Sequence, residues 1–193
     1  VAPQLPSRTS PERLRDELSR LLTTGARQIG IALLQELEIL EYILPELSAL
    51  DSLAQSPPHH EDVFRHTLGV LRFLVEIDKL IINEGNSPAE AWTLAVETLL
   101  SPYRGRLQEH LAVPIDGGVP ARSLLMWGGL LHDIGKAATQ TTAPDGRIRF
   151  LGHDEKGAIM AGKLLSSFSF SNEARQRGRR IVEGHMRPLL LAN

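Results

Sequence analysis

The chain has 193 residues, 42% of them hydrophobic, with 21 Lys and Arg against 23 Asp and Glu for a formal charge of −2. It is long enough to bury a core without staples, and its charge balance exerts no global pull toward nucleic acid, leaving only a local basic patch open. It has no cysteine, which excludes disulfides and thiolate metal sites and leaves His, Asp and Glu as metal ligands. No apolar run approaches the roughly 18 residues of a membrane span and no secretory leader is visible, so the expected compartment is the cytoplasm. The chain opens on Val1 and closes on LLLAN, and reads as a piece of something longer.

Residues 1–9 are a proline-containing lead-in. Ser10-Pro11 then sets an N-cap followed by proline at the first helical position. Leu14, Leu18, Leu21 and Leu22 recur at helical spacing until Gly25. Residues 26–44 predict a second helix, ended before Pro45, and DSLAQSPP (51–58) reads as a loop and internal boundary. A helix is expected from about Glu61 to Asn83, with His66, Val70, Phe73 and Ile77 on one apolar stripe. Ser87-Pro88 starts the next, interrupted near Ser101-Pro102 and running on to about Ala112. PIDGGVP (114–120) is a turn-rich loop.

Residues 124–136, LLMWGGLLHDIGK, predict a buried central helix with Leu125, Gly128 and His132 on one face, and Gly128-Gly129 admits a close neighbour. An imidazole and a carboxylate, His132 and Asp133, sit side by side among Leu130, Leu131 and Ile134. Burying a carboxylate costs several kcal/mol unless a cation or donor compensates, and a metal ion is the leading candidate. TTAPDGRIRF (141–150) carries turn chemistry and alternating arginines, predicting a loop with at most a short ribbon. Helices follow over about Asp154–Ser167 and from Ser171 or Asn172 to Met186, the last with Ala174, Gly178, Ile181, Val182 and His185 on one face.

Four histidines thus stand at or on inward helical positions: His66, His132, His153 and His185. Together with Asp133 they form a set of the kind that holds a divalent ion. Lys136 either holds a substrate phosphate as a point charge or is a solvated helix-end lysine. Asp62 reads as a helix-start acid before it reads as an orienting partner of His66. His59, His60 and His110 read as surface residues, and Trp92 and Trp127 as core. The Arg175, Arg177, Arg179 and Arg180 run reads first as a solvated face and second as a phosphate-backbone contact, and Arg147 and Arg149 stand where they could reach into an open site.

HTLGVL (66–71), LLHDIGK (130–136), FLGHDEKGA (150–158) and IVEGHM (181–186) resemble the HD domain of metal-dependent phosphohydrolases. More narrowly, they resemble the HD region of bacterial tRNA nucleotidyltransferase/poly(A) polymerase-like proteins, and SPERLRDELSRLL (10–22) with ILPEL (43–47) is similar to the helical neck of that family. The resemblance implies an all-α fold: an HD-domain-like helical bundle over 51–193, cut at its C-terminal end, with a neck over 1–50 and one irregular ribbon. It implies metal ligation by His66, His132 and Asp133, with His153 and His185 serving a second metal or the phosphate. The aspartate with which superfamily members complete the first site has no match before Asn193; neither Asp154 nor Glu183 replaces it. The nucleotidyltransferase head, with its Gly-Ser motif and paired aspartates, also has no counterpart.

Two functions follow as expectations. One is hydrolysis of a nucleotide or RNA phosphomonoester or cyclic phosphodiester, dependent on a divalent ion (Mn, Ni, Mg, Zn or Fe). Here His132, Asp133 and Lys136 would be catalytic, and Lys136, His153, His185 and Arg149 would bind substrate. The other is a non-catalytic body that binds tRNA-like RNA within a polynucleotide adenylyltransferase-like or tRNA nucleotidyltransferase-like protein. A third and blander reading is a degenerate HD fold whose polar cluster is a satisfied core network.

Overall fold

The computed structural model describes residues 9–58, 60–82, 91–116 and 119–187. Helix α1 (Pro11–Leu22) begins as Ser10-Pro11 predicts, Ser10 Oγ accepting the Arg13 N–H at 3.3 Å. The helix expected over 26–44 is divided. Helix α2 (Arg27–Glu36) stops before Glu38, whose φ of 56° cannot propagate a right-handed helix. Two short helices follow, α3 (Leu40–Ile43) and α4 (Pro45–Ser48), and the break turns Leu40, Leu44, Leu47 and Leu50 fully into the core.

Helix α5 (Val63–Ile82) starts on Asp62, whose carboxylate accepts the Arg65 N–H at 2.8 Å, so Asp62 serves as the helix-start cap. Its buried stripe is Phe64, Thr67, Leu71, Val75 and Asp78, one position round from the stripe read in the sequence. Phe73, placed on the apolar face by periodicity, is 44% exposed and meets Trp92 edge-on. The shift has a polar cause. Thr67 satisfies itself on the Val63 carbonyl at 2.9 Å. Asp78 is buried because Arg122 binds it twice (2.7 and 2.6 Å) and Arg27 once (2.9 Å).

Helix α6 (Ala91–Leu100) leads through a 3-10 turn at Ser101–Tyr103 into α7 (Arg104–Ala112), the interruption expected at Ser101-Pro102. The loop at 114–120 contains a short antiparallel pair, β1 (Pro114–Asp116) with β2 (Val119–Pro120); Gly117 and Gly118 lie outside the described residues. Asp116 also accepts the Ser171 N–H.

Helix α8 (Ala121–Leu131) is the hub, packed by α1, α5 and α11. Trp127 is fully buried and donates its indole N–H to Ser19 Oγ at 2.9 Å. Both glycines serve close approach as expected: a Cβ at Gly128 would come within 2.4 Å of Ile181, and one at Gly129 within 2.4 Å of Leu74. The one-turn α9 (Lys136–Thr139) and the ribbon β3 (Thr141–Thr142) with β4 (Ile148–Arg149) follow. Helices α10 (His153–Ser167) and α11 (Asn172–Gly184) then pack on each other, α11 capped by Ser171 Oγ on the Ala174 N–H. The result is the expected all-α bundle with small ribbons. A single hydrophobic cluster runs from Leu18, Leu22 and Ile31 through Trp127 to Leu165 and Val182. Among the described residues no helix is long and apolar enough to cross a membrane.

Candidate metal centre

The central helix is shorter than 124–136. It ends at Leu131, His132 is its C-cap, and residues 132–135 form turns. Gly135 shows why the chain turns here. A Cβ at that position would lie 2.1 Å from the His153 carbonyl and 2.6 Å from the Gly157 nitrogen, backbone against backbone. The turn lowers Asp133 into the interior at 2% exposure and restarts the chain at Lys136, which is buried and not the solvated lysine of a helix end.

Asp133 is the centre around which the four histidines gather. Its Oδ2 lies 3.1 Å from His132 Nε2 and 3.7 Å from His66 Nε2; its Oδ1 lies 3.4 Å from His153 Nε2 and 3.7 Å from His185 Nε2. His66 comes from the first turn of α5, His153 opens α10, and His185 closes α11. Gly152, at φ 71°, makes the left-handed turn that delivers His153. Two groups of ligand atoms result, His66–His132–Asp133 and Asp133–His153–His185, sharing Asp133; within each, all atoms lie within 4.8 Å of one another.

Hydrogen bonds fix which ring nitrogens face inward. His132 Nδ1 meets the Gly129 carbonyl at 2.8 Å, His153 Nδ1 the Phe150 carbonyl at 2.8 Å, and His185 Nδ1 the Val182 carbonyl at 2.6 Å. A carbonyl only accepts, so each Nδ1 carries its proton and each neutral ring turns an Nε2 lone pair to the centre. His153 and His185 thereby oppose each other Nε2 to Nε2 at 3.2 Å. Five acceptor atoms converge on one spot, and His132 Nε2 and Asp133 Oδ2 are buried without a hydrogen-bond partner. Such a cluster demands a cation.

Part of that demand is met by Lys136, whose Nζ lies 2.8 Å from Asp133 Oδ2, a charge contact without hydrogen-bond angles. Nζ also donates to Gln55 Oε1 at 2.7 Å and lies 5.4 Å from the centre of the Phe150 ring. Burial pushes the Asp133 carboxyl up, but His132, His153 and the Lys136 ammonium outweigh it and hold the group well below the usual carboxylate range. His153 is lowered by burial yet raised above its ordinary value by the Asp133 contact and the Phe150 carbonyl. His185 is lowered, first by burial and then by the neighbouring His132 and His153. The two shifts run in opposite directions because Asp133 raises His153, whereas burial dominates at His185.

The cluster opens into a cavity of about 720 Å³ whose walls include Gln55, Arg147, Arg149, Phe150, Asp154 and Met186. The ribbon is tied across the 51–58 loop by Ile148 N–H to Ser56 Oγ (2.8 Å) and Arg147 Nη2 to the Pro57 carbonyl (3.2 Å). Arg149 is exposed and lines the same cavity as the cluster. Glu183 is exposed and does not line the cavity. His60 and His110 are exposed as expected, and His59 is outside the described residues. The sequence reading missed Gln55, whose loop has no periodicity to mark it.

Residues 63–192 match the HD domain family. The chain is an HD-domain protein. Residues 2–50 match a second family, the probable RNA and SrmB-binding site of polymerase A. The chain is 31% identical over 183 residues to the CC-adding tRNA nucleotidyltransferase of Thermus thermophilus, covering 94% of this chain and 32% of that protein. It is 31% identical over 176 residues to the A-adding tRNA nucleotidyltransferase of Deinococcus radiodurans (91% and 31%), and 26% over 178 residues to the multifunctional CCA protein of Halorhodospira halophila (91% and 32%). The HD-domain chain thus spans about a third of the length of the curated relatives it matches, and corresponds to the HD and body region of tRNA nucleotidyltransferase-like proteins.

The residues present fit a divalent ion of the kind HD domains bind. The donor set is imidazole and carboxylate, suited to first-row ions. The ring tautomers are fixed by backbone carbonyls, and two of the inward atoms, His132 Nε2 and Asp133 Oδ2, are buried without a hydrogen bond.

Proposed function

We propose that this chain is a metal-dependent phosphohydrolase unit acting on a phosphomonoester or cyclic phosphodiester of a nucleotide or an RNA end. The observation that carries the reading is the convergence of acceptor atoms on Asp133 beneath an open, cation-rimmed cavity. His66, His132 and Asp133 would hold one ion, and Asp133, His153 and His185 a second. A divalent ion bound among such ligands supplies Lewis-acid polarisation of a phosphoryl oxygen and activation of water.

The chain's own groups divide the remaining work. Lys136 lies against Asp133 and presents a positive charge to the cavity, placed to stabilise charge developing on phosphoryl oxygens. Gln55 orients that ammonium. Arg147 and Arg149, which line the cavity, attract and align an anionic substrate.

Hydrolysis of a small phosphodiester such as bis-p-nitrophenyl phosphate, or of a 2′,3′-cyclic nucleotide, tests this. Turnover stimulated by Mn, Ni or Mg, and lost in His132→Ala and Asp133→Ala, is expected. Equal turnover in both variants would sink it.

A second reading, a non-catalytic RNA-binding body, is supported by the match of residues 2–50 and by relatives named as tRNA nucleotidyltransferases. In that reading residues 1–50 are a neck and 51–193 the body beneath a nucleotide-adding head. Salt-sensitive binding of tRNA-like RNA that survives Asp133→Ala, without hydrolysis, would favour it. Either reading assigns the protein to the cytoplasm, where RNA ends are processed.

A further inference from the structure

A second cavity, of about 490 Å³, lies between α10 and α11 and shares no lining residue with the Asp133 site. Lys163, Arg175 and Arg179 line it, with Ser166, Asn172 and Gln176 between them, and no acidic side chain does. The chain as a whole carries −2, so three cations here are a local inversion of its charge. Among the described residues none of the three has a carboxylate within 4 Å, whereas Arg177, on a different face of α11, pairs with Glu173 at 2.7 Å. Arg175 donates to a neutral group, Ser166 Oγ, at 2.8 Å. Arg179 is laid across α10 over Gly162, where a Cβ would come 2.7 Å from its Cδ and 3.0 Å from its Cγ.

The geometry points to this groove as a binding site for the phosphate backbone of RNA. Uncompensated cations that share a groove repel one another, and a run of phosphates relieves the repulsion while releasing the counterions condensed on the polymer. The neutral residues between them are hydroxyl and amide donors, the types that fix a backbone without reading sequence. A protein partner would ask for a buried apolar or aromatic anchor. The groove has no aromatic side chain, and its one large apolar residue, Ile159, is half exposed. This site is separate from residues 2–50, and it rests on the proposed function only for the choice of RNA as the polyanion.

The test is binding of a fluorescently labelled tRNA-like hairpin with a single-stranded 3′ end to the whole chain, between 50 and 200 mM salt. Lys163→Gln/Arg175→Gln/Arg179→Gln should lower the slope of log K against log salt by about 2 to 3, roughly 0.7–0.9 per lost contact. It should weaken binding about a hundredfold to a thousandfold near 0.1 M salt, with an unchanged melting curve. If the triple variant does not fold, Arg179→Gln alone should lower the slope by about 0.7–0.9. A slope and affinity indistinguishable from wild type, or no binding by wild type at 50 mM salt, overturns the inference. Hydrolysis of bis-p-nitrophenyl phosphate by the wild-type chain, read in the same preparation, separates the two proposals. Turnover with an unchanged slope in the variant removes the groove and keeps the catalytic reading; a lowered slope without turnover does the reverse.

Discussion

Asp133→Asn is the most informative single perturbation, because one isosteric change removes a ligand common to both groups of Nε2 atoms and also the counterion of a buried ammonium. In the metal-free protein Lys136 Nζ would keep Gln55 Oε1 at 2.7 Å but lose the carboxylate at 2.8 Å. Breaking one partner from a buried pair costs about 3–5 kcal/mol, part of it recovered through the retained Gln55 contact. For a chain of this size each kcal/mol shifts Tm by about 2–4 °C, so the metal-free variant should melt roughly 6–15 °C below wild type. Ligand binding adds a second, opposite signature. An ion at a hundred times its Kd stabilises by about 2.7 kcal/mol, so wild type should gain about 5–11 °C on adding Mn, Ni or Zn, and the variant little or nothing. Differential scanning calorimetry with and without metal, paired with elemental analysis, reads both effects. A variant that melts with wild type when metal-free and gains the same increment from metal would refute the placement of Asp133 at the centre of the cluster.

Three further outcomes are expected. Gly135→Ala sets a methyl against the backbone of α10, so it should destabilise by about 3 kcal/mol or more and lower metal content by displacing His153; an unchanged Tm and metal stoichiometry would contradict the close approach. Asp78→Ala strands two arginines, one of them fully buried, and should cost about 3–5 kcal/mol in urea titration while leaving metal content per folded chain unchanged. Metal affinity, followed by isothermal calorimetry, should fall as pH drops through the histidine range, with proton uptake by the metal-free cluster. In the metal-free protein the signs differ by residue. The lowered carboxyl of Asp133 contributes stability above its ordinary value of 3.8, lost as pH falls below it. The raised His153 contributes below 6.5, lost as pH rises through its folded value. His185, lowered, contributes with the opposite sign, so a metal-free profile whose slope above pH 6.5 is the same in wild type and His153→Gln would contradict the second.

The sequence made local devices legible. Ser10 and Ser171 cap their helices where their side chains say, Gly128-Gly129 admits Ile181 and Leu74, and the PDG turn folds the ribbon back. Which histidines the fold gathers around Asp133 was legible too, because each of the four stands at an inward or terminal position that short-range patterns mark. What was not legible depends on contacts far apart in the chain. The α5 stripe was misphased because hydrophobic periodicity passes over Thr67 and Asp78, and Asp78 faces inward only because Arg27 and Arg122 meet it there. The central helix was overrun because its end is set by α10 pressing on Gly135. Lys136 looks like a helix-end lysine until Gln55, 81 residues earlier, is seen beside it.

Two families divide this sequence near residue 50, one on each side of the loop at 51–58. The packed interior ignores that seam: Leu22, Ile31, Leu44 and Leu50 share one apolar cluster with Trp127 and Leu130, and Trp127 is latched to Ser19. The unit by which such chains are recognised is therefore smaller than the unit that packs as one core. Severing the chain at the seam would expose apolar surface on both pieces, so heat should take the whole apart in one cooperative transition.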